Sequence, residues 1–392
     1  MPITAQRDVL VLRLILAATL LLSGCGGGGG GSPSMTAPQS ASCSGCTFMY
    51  ATTEAGSILE FPLQAGTPTS IAGPANSLGI AEAFAPNLPD SRYLYVSDPA
   101  ANVIRIYSIS SVNGALSGAP VDPFPIPNAD GTPGEIITFG TTLLNAPATV
   151  LYVATSTGNI EALNINADGS LSSLAGSPFT AGRGLSHLVT VSSFTVANTN
   201  FLYAANTEDP NGSISAFTIE PNGALESIPG SPFPTVPNGG PAGFYDGGTI
   251  LYVALKNANA VATLAIANDG SLTPIAGSPF AAGRGTFSLG SADGLLFATN
   301  NSDGTISSYS MNPSTGALTS VTGSPFAGSV TSGDTLYVGG SLFFVPCAQS
   351  ESIDAFEFDA GGAVQARDAS SFKATSGPVA LTSVFFPVID PP

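Results

Sequence analysis

The chain has no tryptophan, one histidine, four cysteines and nine lysines and arginines among 392 residues. Each scarcity excludes a class of function. A single histidine, His187, rules out a histidine metal cluster, and any Ser-His-Asp triad must use that residue or none. The cysteines offer one close pair, Cys43-Ser44-Gly45-Cys46, and no second Cys or His pair that could complete a zinc site. No βαβ pattern surrounds that pair, which argues against redox catalysis. Nucleic acid is excluded as a partner, because phosphate contacts demand clustered Lys and Arg and the formal net charge is −17. No glycine-rich phosphate loop precedes a helix, and no long amphipathic helix is evident.

What the sequence has in quantity is repetition. Seven blocks of about 45 to 57 residues share four markers. The first is a short apolar run: Phe48-Met49-Tyr50, Tyr93 to Val96, Leu151-Tyr152-Val153, Phe201-Leu202-Tyr203, Leu251-Tyr252-Val253 and Leu295-Leu296-Phe297. For the seventh, Leu342 to Val345 fits better than Leu336-Tyr337-Val338. It begins sixteen residues after Phe326, as Leu296 begins sixteen after Phe280. Residues 335–339 are then the strand before it. The second marker is a β-branched and aromatic stretch, such as Ile160 to Leu163 and Ile214 to Phe217. The third is a tight turn, as in Asn113-Gly114, Asp168-Gly169, Asn222-Gly223 and Asp269-Gly270, where glycine supplies positive φ. The fourth is Gly-Ser-Pro-Phe at 176–179, 230–233, 277–280 and 323–326. Proline cannot donate to a sheet ladder, so it suits the end of an edge strand.

Units this small bury no core alone, and seven of them predict an all-β, seven-bladed β-propeller with four-stranded antiparallel blades. A small-residue inner strand, such as Ala81 to Pro86 or Phe287 to Ala292, precedes each Leu-Tyr strand. The chain begins at the second strand of blade 1. Its missing inner strand is expected from Pro378 to Pro387, so the C-terminal strand closes the ring.

The Leu-Tyr-Val-Ala-Asn strand and the Gly-Ser-Pro-Phe linker resemble those of the lactonase family of seven-bladed propellers, which includes 6-phosphogluconolactonase-like proteins and the related YVTN surface-layer repeats. The resemblance covers roughly residues 47–390. It implies the architecture, and a lactone hydrolase as one activity of the family. The absent tryptophan argues against WD40 and kelch propellers, whose signatures depend on it.

The N-terminus reads as an address. Arg7 and Arg13 precede an apolar run from Leu14 to Leu22 and then Ser23-Gly24-Cys25. The run is too short to span a bilayer, and the pattern resembles a bacterial lipoprotein signal over residues 1–24 with Cys25 as the lipidated residue. Residues 25–46, rich in Gly and Ser, read as a flexible tether, and the propeller spans 47–390. By analogy with lipoprotein sorting, the absence of aspartate at position 26 favours the outer membrane, on its periplasmic or surface side. Without Arg7, Asp8 and Arg13, the chain keeps 25 acidic and 7 basic residues. In an exported protein a disulfide is expected, either Cys43–Cys46 or one of these with Cys347.

One pattern stands out as chemistry. Two linkers carry arginine, in Ala181-Gly182-Arg183-Gly184 and Ala282-Gly283-Arg284-Gly285. Both should sit on one rim of the central channel, in blades 4 and 6, where paired guanidiniums could hold a carboxylate or phosphate. His187 follows along the inner strand, and Glu82 and Glu135 lie on the inner strands of blades 2 and 3. These are the candidates for a general base that activates water against a lactone carbonyl. The competing expectation is that the arginines bridge blades through backbone carbonyls and His187 packs in the ring. Asp98, Asn206 and Asn300 end their Leu-Tyr strands on the same rim. The equivalent Thr53, Thr155, Leu255 and Pro346 interrupt any ring of metal ligands, so no cofactor is implied and a divalent metal lacks support.

These features rank a lipid-anchored binding or scaffold protein of the cell envelope first, for a protein, glycan or small ligand, and as a monomer. The alternative is a hydrolase of a non-phosphorylated or carboxylated lactone. Few cations argue against a phosphorylated substrate.

Overall fold

The computed structural model describes residues 47–385, apart from 63–68, 74–79, 86–87, 111–112, 118–120, 128–130, 141–147, 193–198, 211, 329–336, 340, 367–371 and 375. The expected leader and tether, with Cys25, Cys43 and Cys46, lie outside the described residues. The rest forms seven antiparallel sheets, one per repeat, arranged as a seven-bladed propeller. Neighbouring inner strands touch all the way round, including the C-terminal strand against the inner strands of blades 2 and 7.

Closure is as the repeat count requires. Pro378–Phe385 pairs antiparallel with Thr47–Thr53, so the last strand completes the first blade. In blade 7 the inner strand is Tyr337–Gly339 and the next is Leu342–Cys347. Thr47 lies at the opposite end of its strand from the end where Cys347 falls in blade 7, as the registers Thr47↔Phe385 and Cys347↔Ser352 show. Cys347 is a buried thiol whose Sγ lies 3.5 Å from the Val345 carbonyl.

The repeat markers each have a mechanical reason. The tyrosine of one blade donates its hydroxyl to the turn glycine of the next: Tyr95 to Gly169 O at 2.9 Å, Tyr152 to Gly223 O at 2.7 Å, and Tyr203 to Gly270 O at 2.9 Å. Tyrosine here spans the gap between sheets with an apolar ring and still satisfies its hydroxyl. Gly270, with φ of 80°, also has no room for a Cβ, which would lie 2.5 Å from Ile228 and 2.6 Å from Phe201. The serine of Gly-Ser-Pro-Phe accepts a backbone N–H from the third strand at 2.9 Å in four blades, as Ser231 does from Ala216. The edge strand breaks at this point into two short pieces, such as Leu225–Ser227 and Phe233–Pro234, both paired with Ser213–Ile219. The Ser-Pro bonds there are cis. The outer edge is made of two such pieces in each of blades 3 to 7.

The core lies between blades rather than within one. Phe201, Tyr203 and Ile214 of blade 4 pack on Leu251, Val253 and Leu264 of blade 5, all nearly inaccessible. Each such side chain contributes about 1.5–3 kcal/mol on burial, which a lone blade would forgo.

Candidate functional site

The two ends of the propeller differ. At the front, inner strands begin and Leu-Tyr strands end, as Leu185↔Asn206 and Thr286↔Asn300 show. The Asp-Gly and Asn-Gly hairpins turn at the rear. Arg183 and Arg284 both stand at the front, exposed, at the same repeat position in blades 4 and 6. The Gly-Arg-Gly context explains their pose. A Cβ on Gly182 or Gly283 would lie 2.4 Å from Asn206 or Asn300, so only glycine lets the linker pass over those amides. Gly184 and Gly285 take positive φ, 64° and 72°, which turns the chain down into the inner strand. Between them arginine is left facing water, and neither guanidinium has a side-chain partner among the described residues.

The inner strands then bulge. Blade 3 shifts register between Pro133 and Ile136, and blade 4 between Leu185 and Leu188. Glu135 and His187 occupy the same place in these bulges, one residue before Ile136 and Leu188. A bulge adds a residue and re-aims its side chain. Here it brings Nδ1 of His187 to 3.7 Å from Oε1 of Glu135 in the neighbouring blade. Nδ1 is buried without a hydrogen bond, while the whole side chain keeps 19% of its surface. The accessible part is therefore the rest of the imidazole side chain. Its outer flank is apolar, with the Phe244 ring centroid 5.9 Å away. Burial pushes the His187 pKa down to about 4 despite the nearby carboxylate, so the ring is neutral at pH 7. Below it, Thr207 donates its hydroxyl to the Pro241 carbonyl and shares a second hydrogen bond with the Ser186 hydroxyl, both at 2.5 Å, which ties blade 4 to blade 5.

The backbone register sets Glu82 at another level of its inner strand. Ile80 opposes Val96 as Ile136 opposes Val153, so Glu82 stands two residues further along the channel. That is three residues from the Glu135 level, about 10 Å along a strand. The side chain of Glu82 lies outside what the structure describes. Both residues fall on inner strands, Ile80–Ala85 and Pro133–Gly140, as expected, at different depths of the channel.

The rim amides and carboxylate are already engaged. Asp98 holds Arg105 through Nε at 2.7 Å and a second nitrogen at 2.5 Å. Asn206 donates to Ser213 and Ser215, and Asn300 to Thr305 and Ser307, at 2.9 to 3.0 Å. These are caps that hold the strand ends together. No group of three or more metal-binding side chains occurs among the described residues.

Residues 244–332, which include blade 6 and Arg284, match the family model described as lactonase, 7-bladed beta-propeller. The chain has the lactonase-type seven-bladed propeller fold. Solved structures agree on that architecture. A protein of Bacteroides fragilis assigned as a 6-phosphogluconolactonase is 18% identical with a TM-score of 0.66, over 88% of this chain and 100% of its own. A similarly assigned Bacteroides uniformis protein is 16% identical, TM-score 0.68, over 86% and 99%. The Pseudomonas aeruginosa periplasmic gluconolactonase is 17% identical, TM-score 0.66, over 87% and 100%. No curated protein sequence matches the chain. Identities this low establish the common architecture of the lactonase-type propeller and leave its chemistry to its own residues.

Proposed function

We propose that this propeller hydrolyses a lactone at the front mouth of its channel. The observation that carries the reading is the bulge-borne pair of a neutral, half-buried His187 and Glu135. A neutral imidazole can take a proton, and a carboxylate beside its other nitrogen stabilises the imidazolium that forms. Imidazole removes a proton from water as the water oxygen bonds the lactone carbonyl carbon. The tetrahedral adduct then breaks its ring C–O bond, and the imidazolium returns the proton to the departing alkoxide. The product is an open hydroxy acid. Apo distances such as 3.7 Å tighten when a substrate fills the site. Arg183 and Arg284 face the same mouth and are placed to attract the anionic part of a substrate. The Pseudomonas aeruginosa neighbour, a periplasmic gluconolactonase, supports a lactone as the substrate class and an exported setting, in keeping with the leader-like residues 1–24.

The test is turnover of a lactone panel by the soluble form beginning after Ser32, beside His187→Gln and Glu135→Gln. Ring opening by the wild type that fails in His187→Gln supports the proposal. Wild-type turnover that survives His187→Gln removes His187 from the chemistry. A second reading, a non-catalytic binder anchored at the envelope, is favoured by one observation: Asp98, Asn206 and Asn300 are spent on internal bonds. No turnover by a folded wild type would favour it.

A further inference from the structure

Blade 5 breaks the arginine pattern in an informative way. Its linker has Gly239 where blades 4 and 6 have Arg183 and Arg284, in the run Asn238-Gly239-Gly240. Gly240 keeps the positive φ of Gly184 and Gly285. The residue whose N–H bonds the second linker glycine is Thr207 in blade 4, Asn301 in blade 6 and Lys256 in blade 5, at 2.9 to 3.1 Å. The cation missing from the linker of blade 5 therefore reappears on the adjoining strand end. Lys256 is exposed, and its ammonium is steered. Nζ lies 5.3 Å from the ring centroid of Phe287, on the bulge of the next inner strand. Phe287 precedes Ser288, the blade 6 counterpart of His187. A cation over an aromatic face is held without losing its charge to a carboxylate.

We infer that Arg183, Lys256 and Arg284 form a three-cation arc over blades 4, 5 and 6 that selects an anionic substrate, with Lys256 as a specificity residue. The two ends of the propeller differ in the cations they expose. At the rear, the exposed charges Asp168, Glu226, Asp269, Asp293 and Asp359 are all negative. Among the described residues the Lys or Arg toward that end is Arg92, which is buried. The front mixes signs, because Glu54, Glu208, Asp303 and Glu351 are exposed on the same rim and Asp303 accepts the Arg284 N–H at 2.7 Å, so in a chain of net charge −17 the three cations offer an anion local contacts rather than a positive face. The chemistry fits a lactone that carries a carboxylate. Three separated cations on an open rim match one or two carboxylate charges, one of them formed by ring opening.

This inference rests on the lactonase reading for its substrate, and the test separates the two. Hydrolysis of a carboxylated lactone and of a neutral lactone of equal ring size is compared in wild type, Lys256→Gln and Lys256→Arg. The expected result is a KM for the carboxylated lactone raised about three- to ten-fold in Lys256→Gln, the scale of one charged contact. The neutral lactone and kcat should be unmoved, and Lys256→Arg should retain the wild-type KM. Equal KM shifts for both lactones, or none, overturn the role of Lys256. If the folded wild type opens neither lactone, the hydrolase reading has failed and the arc is tested directly. Gluconate binding is then titrated calorimetrically into wild type and Lys256→Gln. Weaker binding in the variant supports the arc, and equal binding or no binding overturns it.

Discussion

The front and rear of this propeller are built from the same repeat and behave as opposites. At the rear the copies agree. Asp168 and Asp269 each accept the N–H and hydroxyl of the serine two residues on, at 3.0 Å and 2.6 to 2.7 Å. Those bonds hold both carboxyls below the usual range. The following glycines receive a tyrosine from the preceding blade. At the front the copies diverge: Arg183, Gly239 and Arg284 share one place, and Glu135, His187, Gly243 and Ser288 another. Every blade must solve the same docking problem, so docking positions repeat. A ligand needs unlike groups arranged around it, so chemistry shows as departure from the repeat.

Several substitutions would break or sharpen this contrast. The largest effect is expected at the front. His187→Gln should lower kcat/KM for lactone opening by about 100-fold or more, the usual contribution of a general base, while circular dichroism stays unchanged. Next comes the rear docking. Gly270→Ala adds a Cβ at a positive φ against Phe201 and Ile228 and should cost about 2–4 kcal/mol in a denaturant melt, with KM preserved in the folded fraction. Acid should act through the front. The folded pKa of His187, about 4, lies below the unfolded value of about 6.5, so the unfolded chain binds the extra proton between them. Its contribution is complete above pH 6.5 and is lost as the pH falls toward 4, up to about 3 kcal/mol. His187→Gln should flatten the stability profile between pH 6.5 and 4.5, and a profile identical to wild type would contradict a neutral buried imidazole. Activity should hold from neutrality down to about pH 5 by the same argument. Tyr203→Phe leaves the Gly270 carbonyl short of its donor and should cost about 1 kcal/mol. Smallest of all, the Asp168→Asn, Asp269→Asn pair should leave KM for a carboxylated lactone unchanged. A fall in KM would mean that the rear field reaches the site.

Much of this was legible from the chain alone, for physical reasons. Apolar strand runs, Asp-Gly turns and Gly-Ser-Pro-Phe recur because each blade buries both faces against its neighbours. Counting them located the closing strand at Pro378 and the seventh Leu-Tyr strand at Leu342. Arg183 and Arg284 were visible because they interrupt a repeated glycine motif. Lys256 was not, because it lies in a different segment and joins them only through the Lys256–Gly240 backbone bond and the Phe287 ring. Glu82 and Glu135 looked alike until strand register set them at different depths.

Local sequence therefore determined how many blades form, how each turns and how the ring closes, since those depend on spacing and backbone preference within one unit. Which side chains share the mouth was decided by tertiary structure. The pairing of His187 with Glu135 and the reach of Lys256 to Phe287 depend on bulges and on contacts between blades, and adjacent blades place together residues about fifty or thirty positions apart in the chain.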